Sequence, residues 1–108
     1  MKVILLNKST RQKVYNRANR QCEICGNTRG LQIHHIVKRS QQGKNYFGNL
    51  ILLCWNCHHG TNGVHGKNGR ELDLKLKLDL QEKLFNSGMS EEEVRQYLGG
   101  KLYQNTSV

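Results

Sequence analysis

The sequence predicts a small α+β domain stapled by a metal ion, with an N-terminal helix and a helical C-terminal extension. Three observations predict it. Two Cys-x-x-Cys pairs, Cys22/Cys25 and Cys54/Cys57, frame the middle of a 108-residue chain. Between them lie a strand candidate with β-branched residues, 31–37, and a short apolar run, 50–53. From Leu72 onward leucines recur every four residues. A chain of this size buries a modest core, and such domains often lean on a metal or disulfide.

Taken in order, Ser9 is a suitable N-cap for a basic helix over about residues 10–20, with Val14 and Ala18 spaced to face the core. Arg11, Lys13, Arg17 and Arg20 lie on the same helix, as a solvated face or as phosphate contacts. Cys22-Glu23-Ile24-Cys25-Gly26-Asn27 reads as a metal knuckle, with the glycine permitting the tight backbone. Residues 31–37 carry β-branched side chains at 33, 36 and 37 and form the best strand candidate. Lys38 to Gly48 is polar and reads as a loop. Leu50–Leu53 is a second strand or the lead into a helix, and its length leaves the two open. Trp55 to Asn62 reads as a short helix limited by Gly60 and Gly63, with Trp55 expected to pack. Lys67-Asn68-Gly69 is a turn. Leu72, Leu76, Leu80 and Leu84 then mark a long helix. The alternation of Leu72, Leu74, Leu76, Leu78 and Leu80 would also fit a strand, but the Glu, Lys and Gln content favours helix. Ser90-x-x-Glu93 is a capping box opening a last helix, closed by Gly99-Gly100. The expected division is a metal-stapled module over residues 1–66 and a helical extension, packed on or beside it, over 67–108.

Charge is unevenly placed. The net charge is +9, and residues 1–60 hold ten Lys/Arg against a single acid, Glu23. Residues 61–108 hold seven of each sign. The whole basic excess accompanies the Cys/His/Asn set, which favours a polyanionic partner, most often nucleic acid. The apolar run at residues 3–6 is too short for a signal-peptide core, and no apolar stretch is long enough to span a membrane. The expected setting is the reducing cytoplasm, where paired Cys-x-x-Cys motifs read as one zinc site of Cys22, Cys25, Cys54 and Cys57.

A second set of ligand-type residues is interleaved with the first. His34-His35-Ile36, Gly43, Asn49-Leu50 and Leu53-Cys54-x-x-Cys57-His58 together resemble the HNH endonucleases, which share the ββα-metal (His-Me finger) fold. The resemblance covers residues 22–62. Residues 57–63 are similar to small stand-alone HNH proteins of phages and prophages. The resemblance implies that His35 is the general base and that Asn49 holds the loop that orients it. It implies that His34 and His58 are ligands of a catalytic divalent ion. Where some relatives carry a further histidine, four residues after His58, this chain has Asn62. Asn62 either ligates the ion or only caps the helix. A neutral oxygen there tilts the expected ion toward Mg²⁺ or Mn²⁺, with Ni²⁺ or Zn²⁺ as alternatives. His59 reads as a surface residue and His65 as an exposed loop histidine. Lys38, Arg39, Lys44 and Arg70 are candidate backbone-phosphate contacts.

The function so implied is metal-dependent hydrolysis of DNA, double-stranded by expectation, by nicking or cutting both strands to 5′-phosphate and 3′-hydroxyl ends. Phage packaging or recombination proteins are the implied partners, and a bacterial host cytoplasm the implied setting. Two other classes stay open: a zinc-stapled nucleic-acid-binding module without catalysis, and an accessory subunit of a phage DNA-processing machine. The intact His34-His35/Asn49/His58 set separates the first reading from a pure zinc module, which needs only the cysteines.

Overall fold

In the computed structural model, which describes residues 7–104, helix α1 spans Lys8–Arg17 and is capped by Asn7 rather than Ser9. The Asn7 side-chain oxygen accepts from the Thr10 N–H at 2.7 Å. Asn and Ser cap about equally well, so local chemistry alone does not choose between them. The apolar run at residues 3–6 lies outside the described residues. Val14 is fully buried and Ala18 packs beside it, as their spacing predicts. Arg17 is drawn off the solvated face. Its guanidinium forms a two-pronged ion pair with Glu23 at 2.8 Å and reaches the carbonyls of Phe47 and Leu50. Glu23 also accepts from the Leu52 N–H. The single acid of the basic half is thus committed to holding α1 against the sheet.

Strand β1 (Gln32–His35) pairs antiparallel with β2 (Leu50–Leu53), from Gln32 opposite Leu53 to His35 opposite Leu50. The run at 50–53 is therefore a strand. Alternation along the pair sends Ile33, Leu50 and Leu52 toward Val14 on α1. His34 points the other way, toward α2 (Trp55–His59). The connecting loop is tied off by Asn49, which is fully buried. Its Oδ1 accepts from the Val37 N–H at 2.8 Å, and its Nδ2 donates to the carbonyls of Val37 and Lys44 at 3.0 and 2.9 Å. Gly43 lies against the Val37 carbonyl, where a Cβ would overlap it. The loop contains two 3₁₀ turns, Arg39–Gln41 and Phe47–Asn49.

Helix α2 is shorter than the sequence suggests. It stops at His59 because Gly60 adopts an extended conformation. The chain then winds through a run of tight turns. The N–H groups of Gly63, Gly66 and Gly69 each bond the carbonyl of the glycine three residues earlier. A Cβ on any of these three would strike neighbouring backbone. Asn62 therefore sits in a turn and shares no helix face with His58.

Helices α3 (Arg70–Asn86) and α4 (Glu91–Tyr97) complete the chain. Leu76 and Leu80 are buried, with Leu72 and Leu84 packed beside them, so the four-residue period sets the structure of this segment. The Ser90/Glu93 capping box forms in both directions. Gly99 and Gly100, at φ +95° and +114°, end α4. These helices share one core with the sheet, in which Val37, Leu53 and Val64 meet Leu80, Val94 and Leu98. Tyr97 also braces the β1–β2 loop: its ring lies 4.6 Å from that of Tyr46, and its hydroxyl lies against Gly48. Among the described residues no helix is long and apolar enough to cross a membrane.

Asn49→Ala leaves the Val37 amide and two carbonyls without their partner inside the protein. Its expected cost is about 3 kcal/mol of stability, read by urea unfolding. An unchanged midpoint and slope would contradict the clamp.

Candidate active site

Two clusters of metal-ligating side chains flank the hairpin. In the first, Cys22 and Cys25 stand on the loop after α1, Cys54 is the N-cap of α2, and Cys57 lies in its first turn. Gly26 at φ +79° lets its N–H bond the Cys22 carbonyl at 2.9 Å and close the first knuckle. Backbone N–H groups reach the sulfurs of Cys22 and Cys54, at 3.5 and 3.4 Å. All four Sγ atoms lie within 4.8 Å of one another, and none is in a disulfide. A tetrahedral thiolate site with bonds near 2.3 Å spaces its sulfurs about 3.8 Å apart; the Cys25–Cys54 separation is 3.6 Å. Burial opposes ionisation of Cys22, yet backbone donors from Cys25, Cys54 and Ile24 bring its thiol down to about 6. Burial and the adjoining sulfurs push Cys57 up. Crowded thiols resist full ionisation until a cation neutralises them, so the four cysteines form a metal site.

The second cluster holds His34, His58 and His65, whose ring nitrogens also lie within 4.8 Å of one another. His34 comes from β1 and His58 from α2. His65 comes from the glycine-spaced turns, where Val64 and His65 donate to the carbonyls of Cys57 and His58 at 2.9 Å. Those bonds lay the turn back along α2 and set the His58 and His65 rings 4.7 Å apart. His34 is 3% exposed, and its Nε2 is buried without a hydrogen-bond partner. His58 Nδ1 lies 2.6 Å from Gln32 Oε1, which orients the ring and leaves Nε2 for a ligand. Burial lowers His34 to about 3 and His58 to about 4, with the neighbouring imidazoles adding to each shift. Burial also lowers His65, as do Lys38 and His59. At neutral pH these are uncharged imidazoles, and their clustered ring nitrogens make a donor set that fits a divalent ion.

His35 is the last residue of β1. It lines the same pocket as His34, His58 and His65, of about 240 Å³, although the strand register is continuous and carries no bulge. Its Nε2 lies 2.7 Å from Asn45 Oδ1. Asn49 makes its bonds to backbone at the two sides of the loop, and Asn45 is the residue that touches the His35 ring. Lys38 and Arg39 line the pocket beside the histidines. Lys44 lies in an adjoining depression with Asn45, and Arg70 in a separate one with Lys77 and Lys101. Asn62 is exposed, and its Oδ1 accepts from the Asn68 amide at 3.4 Å. The structure thus brings His34, His35, His58, Lys38 and Arg39 together with His65 around one pocket, which Asn62 does not line. Trp55, expected to pack, is 57% exposed. The signal for His65 is the glycine period at 60, 63, 66 and 69, which winds the chain too tightly to continue α2. Nothing in the sequence singles out Asn45.

Residues 22–62 match the family model of the HNH endonuclease. No curated protein and no solved structure gives a significant match to the chain.

Cys54→Ser is expected to remove the bound metal and lower the melting temperature together, since structural sites of this kind contribute on the order of 10 kcal/mol to folding. An unchanged melting curve with the metal still bound would refute the staple. Acid should act through the buried histidines as well. Below pH 6.5 the unfolded chain takes up protons at His34 and His58 that the folded chain refuses down to about 3 and 4. Unfolding free energy should therefore fall as pH drops through that window, and His34→Gln should flatten the slope. Equal slopes in the two proteins would overturn the assignment.

Proposed function

We propose, from the match of residues 22–62 to the HNH endonuclease family model, that the protein is a divalent-metal-dependent endonuclease that hydrolyses DNA to 5′-phosphate and 3′-hydroxyl ends. The observation that carries this reading is the buried, unpartnered His34 Nε2 beside His58 and His65. A binding module stapled by four cysteines has no use for a second clustered set of donors.

In this reading the cysteine site holds Zn²⁺ and the histidines hold the catalytic ion. Three imidazoles favour Mn²⁺, Ni²⁺ or Zn²⁺ over Mg²⁺, whereas a site completed by Asn62 would favour Mg²⁺. The ion supplies charge neutralisation at the scissile phosphate and its leaving oxygen. The chain's own residues do the rest. With Asn45 Oδ1 accepting from Nε2–H, the His35 lone pair is on Nδ1, which takes the proton from the attacking water. Asn49 fixes the loop that presents Asn45 to that ring. Lys38 and Arg39, at the pocket edge, hold the strand through its phosphates, a contact indifferent to sequence and weakened by salt. Lys44 extends this basic edge.

Supercoiled plasmid incubated with Mg²⁺, Mn²⁺, Ni²⁺ or Zn²⁺ is expected to be cut, and EDTA to prevent it. His35→Ala should lower the cleavage rate by about 10²–10⁴-fold while duplex binding and the melting curve are retained. Equal cutting by the variant would sink the base assignment. No cutting with any of the ions, alongside salt-sensitive DNA binding, would favour a non-catalytic module.

A further inference from the structure

Trp55 is the one tryptophan of the chain and its most exposed large hydrophobic residue among those described, at 57%. Tryptophan is highly buried on average, so an indole standing this far into solvent asks for a reason. Its backbone is seated firmly. Trp55 opens α2 between two metal-ligating cysteines, and its Cβ lies so close to Gly30, at φ +62°, that a side chain there would collide with it. The ring therefore projects from one of the most constrained points of the fold.

The indole is also continuous with the histidine cluster. His59, exposed on α2, has its ring 6.2 Å from that of Trp55, 4.1 Å from that of His58, and stacked at 5.3 Å on that of His65. Two ring-to-ring steps thus lead from the metal donors to the tryptophan across open surface, a span of a few nucleotides. Arg29, exposed and next in sequence to the Gly30 that packs on Trp55, puts a cation on the same loop. The acid nearest to Arg29 in sequence, Glu23, is engaged with Arg17 and the Leu52 N–H.

We infer that Trp55, with His59 beside it, is a stacking platform for an unpaired nucleobase of a single-stranded stretch of substrate leading into the histidine site. Duplex DNA keeps its base faces stacked and offers an indole only its edges and backbone. An unpaired base presents a π-face that an exposed aromatic ring can take without regard to sequence. The favoured substrate is then DNA with a single-stranded segment, such as a flap, gap or melted region. This inference rests on the nuclease reading for the direction in which the strand runs, but its test does not need cleavage.

Titrating the metal-stapled protein, with no further divalent ion, with a short oligothymidylate is expected to quench Trp55 emission. An abasic oligomer of equal length, which keeps the phosphates and lacks the bases, should leave the emission unchanged. Trp55→Ala should weaken single-strand binding about tenfold and duplex binding far less, and Trp55→Phe should restore most of the loss. Unchanged metal content in the variants shows that they are folded. Equal quenching by the abasic oligomer, no quenching at saturation, or an emission change that follows protein concentration without DNA would each overturn the platform, the last in favour of self-association. Loss of quenching with plasmid cleavage intact removes this inference alone. Quenching with no cleavage removes the nuclease reading alone.

Discussion

Convergence of four cysteines on one metal ion is the constraint on which the other features depend. Cys22 and Cys25 precede β1, and Cys54 and Cys57 follow β2, so the ion ties together the two ends of a hairpin of only two four-residue strands. A two-stranded hairpin is marginal by itself in water. The same staple fixes the start of α2, because Cys54 is its N-cap and Cys57 lies in its first turn. His58 follows Cys57 directly, and its position is set within one residue of a metal ligand. The cysteine site is thereby the mount for part of the histidine cluster. The Arg17–Glu23 pair works to the same end, binding α1 to the first knuckle and to β2.

A second closure governs the other side of the pocket. Asn49 joins Val37 to Lys44 across the loop, and that places Asn45 against His35. The family resemblance implies that Asn49 orients His35 by holding the loop, and Asn45 is the loop residue whose Oδ1 lies 2.7 Å from His35 Nε2. The C-terminal helices bear on the same loop. Tyr97 supports Tyr46 and Gly48, and Gly99 lies against the carbonyls of Gln41 and Gln42. They act as a brace behind the basic rim that Lys38 and Arg39 form, and their own charges nearly balance.

Much of this was legible in the sequence because it rests on short-range rules. Cys-x-x-Cys spacing, the capping box at Ser90 and Glu93, and the leucine period of α3 each predict their structure from neighbouring residues. Adjacent His34 and His35, Asn49 and His58 were legible through a pattern of order and spacing. What escaped depends on long-range geometry. Counting four residues on from His58 pointed to Asn62, but that count holds only while the helix continues, and Gly60 ends it. His65 reaches the cluster because three glycine-centred turns fold back on α2, a path that no periodicity of a regular element describes. The choice of strand for residues 50–53 was settled by pairing with β1, and the exposure of Trp55 depends on which elements pack near α2, which no local pattern gives.

We propose that His34, His58 and His65 form a second metal centre separate from the cysteines. It is tested most directly by pulsed electron paramagnetic resonance of the zinc-loaded protein with one equivalent of Mn²⁺. The expected result is a bound ion whose echo carries couplings from imidazole nitrogens, weakened by His65→Ala and unaltered by Asn62→Ala. A bound ion without nitrogen couplings, or one indifferent to His65 and sensitive to Asn62, would contradict it.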